Sequence, residues 1–139
     1  MNFLLDTNVI SELVARQPNA RVLEWIESVD PDRVFLSVVT IGELRKGIEK
    51  LPASRRRTAL SDWLATDLTA RFRGRILVLD IDTMLTWGRL TGRLEKLGRP
   101  LPAIDSLIAA LALHHNCTLV TRNEDDFRHA GISVVNPWA

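Results

Sequence analysis

The sequence is poor in several features that would narrow its class at once. A single cysteine, Cys117, excludes an intrachain disulfide and agrees with a reducing compartment. After Met1 no basic segment leads into a long apolar one, so no secretory signal is expected. No apolar run approaches the roughly 20 residues that a membrane span needs. The longest passes through Ala109–Leu113 and falls far short. Internal repeats, low-complexity tracts and linkers are also missing. These absences lead to the expectation of one soluble, cytoplasmic domain over residues 1–139. With 46% hydrophobic residues it can bury a core without disulfides or a structural metal.

Strong net charge is lacking too. At +1 the chain does not announce a nucleic-acid binder. The balance shifts if the four acids discussed below form a site: 18 basic residues then face the remaining 13 acidic ones, which leaves +5 for the rest of the surface. Arg55, Arg56 and Arg57, and again Arg71, Arg73 and Arg75, concentrate that charge. A solvated helix end accounts for either cluster about as well as phosphate contact does.

What is present starts with Phe3–Ser11, Phe-Leu-Leu-Asp-Thr-Asn-Val-Ile-Ser. Three apolar residues form a short strand that runs into Asp6, and Thr7 and Asn8 supply capping chemistry for a helix carrying Val9, Ile10 and Leu13. The pattern predicts that helix from about Thr7 to Arg16 and a second from about Asn19 with Val22, Leu23, Trp25 and Ile26 inward. After the Asp30-Pro31-Asp32 turn, Val34–Ser37 reads as a strand and about Val39 to Leu51 as a helix stopped by Pro52. There Val38, Ile41, Leu44, Ile48 and Leu51 mark the packed face, and Glu43 points away from it over Gly47. A polar helical region from about Ala53 to Arg73 carries Leu60, Trp63, Leu64 and Leu68. The strand Ile76–Leu79 follows. A helix capped by Asp82 or Thr83 then packs through Met84, Leu85, Trp87, Leu90, Leu94 and Leu97 and stops at Gly98. Ala103 to His115 is hydrophobic almost all round and is expected to be buried. The strands Thr118–Thr121 and Ser133–Val135 flank a polar turn over 122–127. Alternating strands and helices predict an α/β domain in three layers, with a mainly parallel sheet of four or five strands flanked by helices.

Four acids stand where periodicity does not ask for them: Asp6, Glu43, Asp105 and Asp126 (or Asp125). Singly, each has a local explanation, as a cap, a helix-dipole partner or a turn residue. Jointly they say more, because ligands in open α/β sheets bind outside the strands' carboxyl ends. Carboxylates crowded there repel one another and raise their pKa values, a conflict that a divalent cation resolves. Hard oxygen donors suit Mg2+ or Mn2+, which would leave positions for water and phosphate oxygens and so favour phosphodiester hydrolysis.

The segments Leu4-Leu5-Asp6-Thr7-Asn8, Ser37-x-x-Thr40-x-x-Glu43-Leu44-x-x-Gly47, Ile104-Asp105-x-x-Ile108-Ala109-Ala110 and Thr121-Arg122-Asn123-x-x-Asp126-Phe127 resemble the motifs of PIN-domain ribonucleases. Within that family the chain most resembles the VapC toxins of toxin-antitoxin pairs, and Asn136-Pro137-Trp138 is similar to the FitB-like subgroup. The resemblance implies a metal-dependent endoribonuclease toxin, neutralised by a cognate antitoxin inserted into its active-site groove. It implies Asp6, Glu43, Asp105 and Asp126 as catalytic metal ligands for Mg2+ or Mn2+. Around them Thr7, Asn8, Thr121 and Asn123 would orient the ligands. Some family members have Asp where this chain has Asn123, so Asn123 and Asp126 compete for the fourth corner. Asp126 is assigned to it because Asn123 cannot supply charge. The resemblance also implies a homodimer, a toxin-antitoxin hetero-oligomer and contact with DNA only through the antitoxin, with no membrane association.

Two other readings are weighed. A haloacid-dehalogenase-like phosphatase would use Asp6 as nucleophile but would want an acid two residues on, where Asn8 stands. A non-catalytic binding module would be signalled by an incomplete acidic set. His114 and His115, adjacent at a helix end, read as dipole partners rather than metal ligands, since neighbours on a helix diverge by about 100°. Cys117, Trp63 and Trp87 read as packing residues.

Overall fold

A computed structural model describes residues 1–139. Its centre is a five-stranded, wholly parallel sheet in the order β3-β2-β1-β4-β5. The strands are β1 (Phe3–Leu5), β2 (Val34–Ser37), β3 (Ile76–Leu77), β4 (Thr118–Val120) and β5 (Val134–Val135). The helices are α1 (Thr7–Leu13), α2 (Ala20–Ser28), α3 (Val38–Glu49), α4 (Arg55–Asp62), α5 (Thr69–Arg71), α6 (Ile81–Lys96) and α7 (Ala103–His114). Trp63–Leu68 forms a π-helical turn that joins α4 to α5 without a break.

The period of two along each strand divides the interior. Leu4 and Leu119 face one core with Leu90 and Leu94 of α6 and Ile108 and Leu111 of α7. Their neighbours Leu5 and Val120 face the other, with Val9, Val22, Leu44, Leu64, Leu68 and Phe72. Adjacent residues of one short strand thus serve opposite layers, which is why these strands read as continuous apolar runs. Helix starts follow capping chemistry: Asp6, Asn19, Ser37, Ser54 and Asp80 each accept a backbone N–H of the first turn. No helix is long and apolar enough to cross a membrane.

Several expected details are corrected. Helix α1 ends at Leu13, not Arg16, and β3 stops at Leu77, leaving Val78 and Leu79 exposed. As an edge strand β3 has a single neighbour, and the chain leaves the sheet to reach its cap at Asp80, two residues before the expected Asp82. The packed side of α6 is Thr83, Thr86, Leu90 and Leu94, whereas Met84, Leu85 and Leu97 are exposed. Two stripes on α6 are partly apolar. The one holding small threonines faces α7, where Thr86 Oγ1 meets His114 Nδ1 at 3.3 Å. Gly98 does end α6: at φ +70° it lets Arg99 N–H reach back to the Leu94 carbonyl at 2.9 Å.

Strand order reverses between β1 and β4: the chain builds outward through β2 and β3 on one side and through β5 on the other. In open α/β sheets that reversal opens a crevice at the strands' carboxyl ends. Asp6 follows β1 and Thr121 follows β4, so both stand at its mouth.

Candidate active site

Asp6 is the best fixed of the four acids. It is 5% exposed, and both its oxygens are engaged. Oδ1 accepts the Thr7 N–H at 2.8 Å and Oδ2 accepts the Thr121 hydroxyl at 2.8 Å. The Asn8 amide also reaches Oδ2, at 3.5 Å, and the Thr121 oxygen, at 3.2 Å. Thr121 Oγ1 in turn accepts the Asn123 N–H at 3.1 Å. Burial pushes the Asp6 carboxyl above the usual range, against the pull of Thr121 and Thr7, and the Glu43 charge adds to the rise.

Glu43 is half-buried on α3 and turned toward α1, where it accepts the Thr7 hydroxyl. Because Thr7 commits its proton to that carboxylate, the contact between Thr7 and Thr40 hydroxyls, 3.0 Å, must be donated by Thr40. Ser37 donates to Thr40 behind it at 3.4 Å. The hydroxyls therefore point one way, from Ser37 through Thr40 and Thr7 onto Glu43, and link the second strand-to-helix turn to the first. Ser37 and Thr40 had no expected role beyond their place in the motif. The signal that could have found them is a serine cap followed by a hydroxyl three residues on, on the face of α3 that turns toward Glu43.

Asp105 lies in the first turn of α7, held in place by the next residue: Trp87 Nε1 donates to Ser106 Oγ at 2.9 Å. The Asp105 pKa is raised to about 6, by desolvation first and then by the charges of Asp6, Asp126 and Glu43 in that order. Asp105 thus feels all three other acids, and Asp6 feels Glu43. Asp126 sits exposed in a 3-10 turn, Glu124–Phe127, anchored by the buried Phe127. Asn123 is tied to this site through its backbone, whereas Asp126 contributes charge.

No cation compensates these acids within the protein. The ion pairs lie elsewhere, Arg45 and Arg57 with Glu49, and Arg128 with Asp125. An uncompensated set of hard oxygen donors fits a divalent cation. No three His, Cys, Asp or Glu residues close up tightly enough to enclose an ion unaided. An ion bound here would have to complete its shell with water or phosphate oxygens, as Mg2+ does. A groove of about 560 Å³ opens beside Glu43, lined also by Lys46, Lys50, Leu79, Ile104 and Leu107.

The other singled-out residues fall outside the acidic unit. His114 and His115 stack edge to face and join no metal-ligating group. Cys117 is buried, and that burial raises its thiol pKa. Of the basic clusters, Arg57 and Arg56 are tied to the Ile48 and Val14 carbonyls, and Arg75 clamps the Pro31 and Arg71 carbonyls. Much of that charge joins elements of the fold to one another.

Comparison with known proteins agrees with this geometry. The PIN domain family matches residues 3–132. The chain is 38% identical to the plasmid stability protein StbB of Pseudomonas syringae pv. tomato, covering 97% of each. It is 36% identical to the VapC ribonuclease Y4jK of Sinorhizobium fredii, over 97% of this chain and 96% of that one. It is 37% identical to the toxin FitB of Neisseria gonorrhoeae, over 97% of each. A structure of FitAB bound to an IR36 DNA fragment superposes with a TM-score of 0.93 at 35% identity, covering 99% of this chain and 96% of that one.

Proposed function

This chain belongs to the PIN domain family, and on that premise we propose that it is an endoribonuclease that hydrolyses RNA phosphodiester bonds, the toxin of a type II toxin-antitoxin pair silenced by its cognate antitoxin. The observation that carries the chemistry is the electrostatic coupling of Asp6, Glu43, Asp105 and Asp126 at the strand-order reversal, with no protein cation among them. The likeness to a VapC ribonuclease and to FitB in complex supports the biological role.

In this reading Asp6, Asp105, Glu43 and Asp126 hold Mg2+ or Mn2+ within one PIN unit spanning 1–139. When bound, the ion supplies positive charge to the phosphate and to the attacking water. The protein's own residues do the positioning. Thr121 and the Thr7 N–H fix the two Asp6 oxygens, the Ser37–Thr40–Thr7 chain fixes Glu43, and Trp87 steadies the turn carrying Asp105. Carboxylates held so need little reorganisation on binding an ion.

A second copy would pair through the exposed Ile81, Met84 and Leu85, which form one face of α6. DNA would be reached through the antitoxin, within a cytoplasmic complex. The phosphatase reading is weaker, since the acid it would want two residues after Asp6 is replaced by Asn8, whose amide is engaged with Asp6 and Thr121. The binding-module reading is weaker too, because all four acids are present.

The test is incubation of the purified protein with mixed cellular RNA in Mg2+, in Mn2+ and in chelator, alongside Asp6→Ala. Cleavage is expected in the first two alone, and cleavage that persists in chelator and in Asp6→Ala sinks the proposal.

A further inference from the structure

An acidic centre repels a polyanion, so a ribonuclease of this kind needs a fixed cation at its rim to hold the strand. We propose that Arg122, placed over the indole of Trp138, is that cation: it grips a backbone phosphate of the RNA beside the bond that is cut. The proposal rests on the ribonuclease reading above.

Arg122 directly follows Thr121, whose hydroxyl bonds Asp6, and its own N–H donates to Asn8 Oδ1 at 3.4 Å. Its backbone is therefore two hydrogen bonds from the centre of the site. The guanidinium lies 5.4 Å over the Trp138 ring. The platform is itself anchored: Trp138 N–H donates to Asn136 Oδ1 at 2.9 Å, Trp138 Nε1 to Glu12 Oε1 on α1 at 3.2 Å, and the Asn136 amide to the Arg122 carbonyl at 3.5 Å. Trp138 is thus tied to α1 from the far end of the chain and offers Arg122 an anchored ring face.

Its charge is unspent. Arg45, Arg57 and Arg128 pair with carboxylates, and Arg56, Arg75 and Arg93 donate to backbone carbonyls. Arg122 does neither with its side chain, although it is exposed beside the acidic unit. A stacked guanidinium keeps its outward N–H fork free for two phosphate oxygens, and stacking removes rotamer freedom before the strand arrives. A purely structural stack would hold the last residues in place and leave RNA indifferent to the charge.

The experiment measures kcat and KM on a single-stranded RNA, with binding of that RNA over a salt series in the Asp105→Asn background. Arg122→Ala should raise KM about tenfold with kcat nearly unchanged, and should flatten the salt slope by about 0.7, one single-strand phosphate contact. Arg122→Lys should restore the slope but only part of the affinity, having charge without the planar fork. Trp138→Phe, which keeps a ring face and most of the packing, should stay near wild type. Trp138→Ala should resemble Arg122→Ala and add little to it in the double variant. If Trp138→Ala melts early, Arg122→Lys and Trp138→Phe decide the matter. Unchanged KM and salt slope in Arg122→Ala, with cleavage still abolished by Asp6→Ala, overturns the proposal and leaves the ribonuclease reading standing. A wild-type protein that neither binds nor cuts RNA overturns both.

Discussion

Replacing Asp105 by Asn should stabilise the metal-free protein at neutral pH. The folded state raises the Asp105 pKa from 3.8 to about 6, so it keeps a proton that the unfolded chain gives up more readily. Stability from this residue is therefore present below the unfolded value and lost as pH rises through the interval from 3.8 to about 6. The shift corresponds to about 3 kcal/mol of charge penalty at full strength. Asp105 is only half-buried, and solvent screening brings this down to roughly half. Loss of a negative charge from the first turn of α7 costs about 0.5 kcal/mol in return. The net expectation is about 1 kcal/mol, or about 3 °C in melting temperature for a chain of this size. Urea unfolding with chelator present, in wild type and Asp105→Asn at about pH 7.5 and about pH 4, isolates the effect. The variant should gain at the higher pH and lose the advantage at the lower one. Adding Mg2+ should stabilise wild type more than the variant, because an ion that binds only the folded state adds its binding free energy. A variant no more stable than wild type at neutral pH would refute the claim that burial and the neighbouring acids penalise the charged form of Asp105.

Two further outcomes follow from the same geometry. Thr121→Val deletes the hydroxyl that fixes Asp6 Oδ2 and accepts from Asn123; Mg2+ affinity by calorimetry should fall about 10- to 100-fold, with the fold retained by circular dichroism. Leu85→Asp charges the exposed face of α6 without touching either core, so sedimentation should show a shift toward monomer with an unchanged circular dichroism spectrum.

The main outline was legible because it depends on local signals. Short apolar runs ending at Asp6, Ser37 and Thr121 marked strands, and the polar residues after the first of them marked the start of α1. Where two stripes competed on α6, hydrophobicity pointed to Met84, Leu85 and Leu97, and the structure packs the threonines instead. Propensity does not know which face meets a neighbour. Close approach to α7 favoured small side chains over apolar ones.

The sequence by itself determined the parallel α/β architecture and the four acids that periodicity does not explain, since both follow from spacing along the chain. Only the tertiary structure decided how those acids are held. The one-way hydroxyl chain onto Glu43 joins residues more than 30 positions apart, and the Thr121 bond to Asp6 spans 115. Contacts of that range arise from strand order: when β4 inserts beside β1, the ends of two distant strands become neighbours, and no local pattern records which ends those are.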